Sequence, residues 1–107
     1  MKFILQGKNI EITDSIQDLV STKIDFLEHF TARFNQDAIE ARVEVGKPSK
    51  HHRSGFVFYA EINLKLPGGL LRAEASHLEL NFAINEVFKE IERQIKKYKD
   101  KKVKSRK

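Results

Sequence analysis

Near the carboxyl end of the chain, Lys89, Arg93, Lys96, Lys97 and Lys101 recur at three- and four-residue steps. Residues so spaced share one side of an α-helix, about 5–6 Å apart, near the spacing of phosphates along one nucleic-acid strand. The chemistry on offer is electrostatic rather than covalent: a stiff row of cations that grips a polyanion. Tyr98 and Lys99 flank the row. Two plainer explanations compete. Cations in the last turns of a helix complement its macrodipole, and Glu90 and Glu92 can pair with their neighbours on a merely solvated face.

The charge distribution bears on that choice. Residues 96–107 hold eight Lys or Arg and one acid, a net of +7, whereas the preceding 95 hold twelve basic and fourteen acidic side chains, a net of −2. The basic character therefore belongs to one end of the molecule, a pattern that suits contact with nucleic acid. Lys23, beside an apolar stripe, and Arg33, just past it, would extend the positive surface if the two helical segments pack side by side.

Other chemistry is poorly supported. Without cysteine there is no disulfide, thiol nucleophile or Cys-ligated zinc. His51 and His52 are adjacent, but no third ligand stands at metal-site spacing, so they read as a surface loop that Lys50 and Arg53 make mildly basic. No P-loop, HExxH or GxSxG motif is present. Glu40, Glu44, Glu61 and Glu74 fall on the polar side of alternating segments, where carboxylates stay hydrated and unsuited to acid–base work. The reading is of a binding protein, not an enzyme, with no cofactor, metal, small-molecule substrate or membrane partner. The absence of a signal peptide or a membrane-length apolar run points to the cytoplasm.

The elements that must position these residues are legible from periodicity. "KFILQ" reads as a first strand with Phe3 and Leu5 inward. Thr13 or Asp14 caps a helix over Asp14–Phe30, in which Ile16, Leu19, Val20, Ile24, Leu27 and Phe30 form one stripe. Strict alternation predicts strands at Ala38–Gly46, Phe56–Leu66 and Leu71–Ala75, joined by the loop "KPSKHHRSG" and a tight reversal at Pro67–Gly69. Ser76 and Glu79 have capping-box spacing, so a long helix is expected from His77 to about Asp100, fraying beyond. The fold class is α+β: a single β-α-β-β-β-α domain, two helices packed on one face of a four-stranded mostly antiparallel sheet. Residues 1–100 would form the domain and 101–107 a basic tail. An RNA-recognition motif fits poorly, since only Tyr59 is an aromatic well placed on the outer sheet face. A double-stranded-RNA-binding domain fits poorly too, because the second helix opens with "SHLELN" and carries its cations at the far end.

Four segments in order, "GKNIEIT", "KIDFLEHF", "LPGGLLRAEAS" and "AINEVFKEIERQIKKYKDK", give the chain a resemblance to the ribosome hibernation promoting factor / ribosome-associated inhibitor A family, in its short form. The resemblance spans nearly the whole chain. It implies a protein that sits on the small ribosomal subunit and its rRNA, in the channel for messenger RNA and transfer-RNA anticodon ends, and blocks translation there. By position, Lys23, Arg33, Lys89, Arg93, Lys96, Lys97 and Lys99 match the family's RNA-facing basic residues. Asn85 stands where the family usually has aspartate, and Phe26 and Thr22 where lysine is common, which thins the first helix's share of the patch. No dimerisation domain follows the last helix, so the chain is expected to be monomeric off the ribosome. Two other readings stay open: a general structured-RNA-binding or RNA chaperone module, and a protein-interaction domain using the acidic sheet face of Glu40, Glu44 and Glu61.

Overall fold

A computed structural model describes residues 1–48 and 57–104, the side chains of 102–104 excepted. In chain order the elements are β1 (Lys2–Lys8), α1 (Asp14–Phe30), a 3-10 turn (Gln36–Ala38), β2 (Glu40–Gly46), β3 (Phe58–Leu66), β4 (Gly69–His77) and α2 (Leu80–Lys104). The bounds of α1 are those the periodicity predicts. Thr13 is its N-cap: the backbone is extended there and Oγ1 accepts the Ile16 N–H at 3.2 Å, satisfying a donor that the first turn leaves open. At the other end Thr31 is fully buried, and its hydroxyl lies within hydrogen-bonding distance of the Leu27 and Glu28 carbonyls at 3.3 and 3.4 Å. Gln36 Nε2 donates to the Thr31 carbonyl at 2.7 Å, which fixes the path out of the helix.

The strands lie in the order β1-β2-β3-β4, with β1 parallel to β2 and the remaining pairs antiparallel. A parallel pair needs a crossover, and α1 supplies it. Both helices therefore run against β1, β2 and β4, and so run parallel to each other. Register places Phe3, Ala41, Leu64 and Leu71 in one inward row and Leu5, Val43, Ile62 and Ala73 in the next. Onto these pack Val20, Ile24 and Leu27 from α1 and Ile84, Val87, Ile91 and Ile95 from α2, all buried. Truncating one of the buried isoleucines to alanine would cost about 2–5 kcal/mol, so α2 is held against the sheet by several such anchors along its length.

The reversal at Pro67–Gly68 does more than join strands. Gly68 adopts φ 82°, the left-handed position of a type II turn that favours glycine. Tyr98 Oη donates to the Pro67 carbonyl at 2.5 Å, and a Cβ on Gly69 would lie 2.9 Å from the Tyr98 ring. The turn is thus a seat for the last third of α2.

Three expectations change. The capping box does not form: Ser76 and His77 stay in β4, opposite Tyr59 and Phe58, and α2 begins at Leu80. The cross-strand ladder outcompetes the cap, and the His77 ring takes over part of its job, with Nδ1 accepting the Glu79 N–H at 3.1 Å. The helix does not fray at Asp100 but continues to Lys104, so residues 101–104 are helical backbone rather than loose tail. The second strand starts at Glu40 rather than Ala38 because Asn35 caps the 3-10 turn, its Oδ1 accepting the Asp37 N–H. Phe56, most of the "KPSKHHRSG" loop with His51 and His52, and residues 105–107 lie outside the described residues.

Candidate nucleic-acid interface

The two helices meet at the end of α1. Lys99 Nζ donates to the Phe30 carbonyl at 2.9 Å, placing a cation at the negative pole of α1. Lys96 Nζ stands 5.2 Å from the centre of the Phe30 ring, within cation–π range. These two lysines face α1 and help hold the helix pair together. Lys99 is half-buried in that role, while Lys96 remains exposed.

The remaining cations diverge from them. Four residues along a helix turn about 40° past a full circle, so the series Lys89, Arg93, Lys97, Lys101 spirals from the outer face of α2 toward β4. There Lys97 and Lys101 line a shallow groove with Leu71, Gln94 and Tyr98. The single straight ladder expected from spacing is therefore a fork. Lys89, Arg93, Lys96 and Lys97 are all exposed on the outer half of α2. Lys23 is half-buried on α1, and Arg33 is exposed three residues beyond Phe30.

Arg93 is engaged by the chain's own acid. Its Nε lies 2.7 and 3.0 Å from the two Glu90 oxygens and its Nη2 2.7 Å from one of them. This hydrogen-bonded pair holds the Glu90 carboxyl below the usual range and raises the Arg93 guanidinium. Of the outer cations, Arg93 is the one that must exchange an internal partner before it can meet a phosphate.

The outer face of the sheet carries both signs, with Glu40, Glu44, Glu61 and Glu74 set among Lys2, Lys8, Arg42, Lys65 and Arg72. Register aligns Glu44, Glu61 and Glu74 across β2, β3 and β4 on the outer sheet face. Tyr59 Oη donates to Glu44 at 2.8 Å, and Arg72 meets Glu61 at 3.3 Å. Burial, the hydrogen bond to Glu44 and the negative charge of Glu44 and Glu61 push the Tyr59 phenol up to about 12. Among the described residues no cluster of three His, Cys, Asp or Glu side chains could hold a metal ion, and no helix is long and apolar enough to cross a membrane.

Sequence reasoning missed an aromatic pair at this interface. Phe26 and Phe30, one turn apart on α1, meet edge to face with ring centres 5.3 Å apart, and Phe26 keeps 54 % of its surface exposed. The i, i+4 spacing was visible in the chain; the approach of Lys96 depends on the tertiary packing.

The chain matches known proteins over almost its full length. The family described as Sigma 54 modulation protein / S30EA ribosomal protein matches residues 3–103. A ribosome hibernation promoting factor of Klebsiella oxytoca is 34% identical over 101 residues, which cover 94% of this chain and 96% of that protein. A ribosome hibernation promotion factor of Deinococcus radiodurans is 29% identical over 103 residues, covering 95% of this chain but 51% of that protein, so the chain spans about half the length of this relative. Among solved structures, the N-terminal domain of Thermus thermophilus Protein Y superposes with a TM-score of 0.75 at 32% identity, covering 92% of this chain and 99% of that one.

Proposed function

The chain belongs to the S30EA ribosomal protein family, and on that premise we propose that it is a hibernation factor that occupies the ribosome and blocks translation. It acts by occupancy and not as an enzyme. The names of its relatives support the ribosome as partner; the finer reading is that it lodges on the small subunit, in the channel of messenger RNA and transfer-RNA anticodon ends. The single observation that carries this reading is the exposed set Lys89, Lys96 and Lys97 on a helix stiffened by buried Ile84, Ile91 and Ile95.

Physically, the cations supply phosphate positioning, and the shape of a preformed RNA cleft supplies specificity. Arg93 and Lys23 add to the same surface, with Lys99 and Arg33 at the end where α1 meets α2. The outer sheet face, where charges of both signs mix, turns away from the RNA. Such a factor works in the cytoplasm, where ribosomes translate.

Charge reversal tests the reading. Lys89→Glu, Lys96→Glu and Lys97→Glu combined should abolish co-sedimentation with purified small subunits while circular dichroism stays unchanged. With four or five phosphates contacted, log affinity should fall against log salt with a slope of about −3 to −4. Undiminished binding by the triple variant, or equal binding of the wild type to free structured RNA in competition, would overturn it.

A further inference from the structure

Phe26 is a large apolar side chain that the core does not take in. It lies on α1, one turn before Phe30, yet more than half of its surface is open to solvent. Burying a phenylalanine ring is among the larger favourable terms a small core can gather, and the neighbouring Phe30 is packed against the core. Phe26 instead sits edge to face with Phe30 at 5.3 Å and 66°, with the His29 ring 6.3 Å away. Phe30 in turn carries the Lys96 ammonium over its ring at 5.2 Å. An exposed aromatic is therefore coupled, through one partly buried neighbour, to a cation of the proposed RNA-binding surface. Lys23, one turn before Leu27 on the same helix, is close in sequence to the same patch.

We propose that Phe26 is a stacking platform for one unpaired nucleobase of the RNA that the helix cations hold, so that the surface reads an unstacked base as well as phosphates. The proposal rests on the RNA-binding reading above and deepens it. The chemistry fits: every base has a π-face, an aromatic flanked by cations is the usual way to hold single-stranded nucleic acid, and the stack adds to phosphate contacts without replacing any. The edge-to-face contact with Phe30 braces the ring and lowers the entropy lost when a base settles on it. A closed apolar pocket on a protein would be served as well by any aliphatic side chain of similar volume, and a π-face would not. That contrast provides the test.

The full-length chain and its Phe26→Ala, Phe26→Leu and Phe26→Tyr variants are titrated against purified vacant small ribosomal subunits over a range of salt concentrations. Because the side chain is largely exposed, all three variants should melt close to the wild type. Tyrosine should bind within about twofold of the wild type, whereas leucine and alanine should each lose on the order of tenfold, as expected for one stacked base. The salt slope should stay that of the wild type in all three, because no phosphate contact is lost. Wild-type affinity in Phe26→Leu, the mark of a closed apolar pocket, would overturn the proposal, as would equal losses in leucine and tyrosine. In both cases the cation surface would still stand if the Lys89, Lys96 and Lys97 reversals abolish binding. Failure of the wild type itself to bind subunits would overturn the RNA-binding reading instead.

Discussion

Glu90 is the most revealing position to perturb, because it sets how many of the outer cations are free. Its carboxylate receives three short contacts from Arg93, at 2.7, 3.0 and 2.7 Å, and its charge also acts on Lys97. Glu90→Gln keeps the volume and removes the charge, so Arg93 becomes available to a phosphate and Lys97 loses a competing anion. One additional phosphate contact steepens the plot of log affinity against log salt by about 0.7–0.9. Raising salt fourfold, from about 50 to about 200 mM, should then weaken the variant about threefold more than the wild type. At the low end of that range the variant should bind more tightly than the wild type. The assay is a filter-binding or fluorescence titration with purified small subunits, run in parallel with Arg93→Gln and the double variant. Arg93→Gln alone should lose little, since that charge is already engaged, and the double variant should fall back to the wild-type slope. The pair is solvent-exposed and spans one helical turn, so the melting temperature should hardly move. An unchanged slope with no gain in affinity for Glu90→Gln would refute the idea that the outer face of α2 meets phosphates at Arg93.

Other expectations concern stability. Lys99→Met removes the ammonium that donates to the Phe30 carbonyl and should lower unfolding free energy by about 1 kcal/mol in urea denaturation, with an unchanged midpoint as the contrary result. Gly69→Ala drives a methyl to within 2.9 Å of the Tyr98 ring and should cost about 1–3 kcal/mol, with the same denaturation as readout. The Tyr59 phenol, raised to about 12 in the fold from 10.0 when unfolded, binds its proton more tightly folded than unfolded. Its contribution is complete below pH 10 and is lost as pH rises through 12. Tyr59→Phe should remove that component, read as the difference between the two proteins' stability across that window; identical profiles would contradict the Tyr59–Glu44 geometry.

Much of the architecture could be read from the chain because its signals are local. The stripe Ile16–Phe30, with a cap at Thr13 or Asp14, marks α1, and alternation within Ala38–Gly46 and Phe56–Leu66 marks strands with one wet face, found at Glu40–Gly46 and Phe58–Leu66. The errors arose where a local signal met a longer-range competitor. Ser76 and Glu79 have the spacing of a cap, but Ser76 is opposite Tyr59 in the β-ladder, and that pairing prevails. The charge run after Asp100 suggested fraying, yet it contains no Gly or Pro before Lys104, and Tyr98 is pinned to the Pro67 turn just upstream. At the candidate interface the residue types were visible and their partners were not. Lys96 read as a member of one phosphate-spaced row and Lys99 as its flank, although both turn toward Phe30, and spacing left open whether Glu90 pairs with a neighbour, a pairing that Arg93 makes. Such contacts depend on how two parallel helices settle against each other and on rotamers, and periodicity carries neither.

The central claim is that the outer side of α2 faces ribosomal RNA while the outer side of the sheet does not. The chain has no cysteine, so a single Glu86→Cys on α2 or Glu74→Cys on β4 can each carry a tethered iron chelate that cuts nearby RNA by hydroxyl radicals. Bound to small subunits, the Glu86 probe should cut strongly at a few nucleotides lining the messenger-RNA channel, and the Glu74 probe only weakly. The reverse pattern, or equal diffuse cutting from both, would contradict the account.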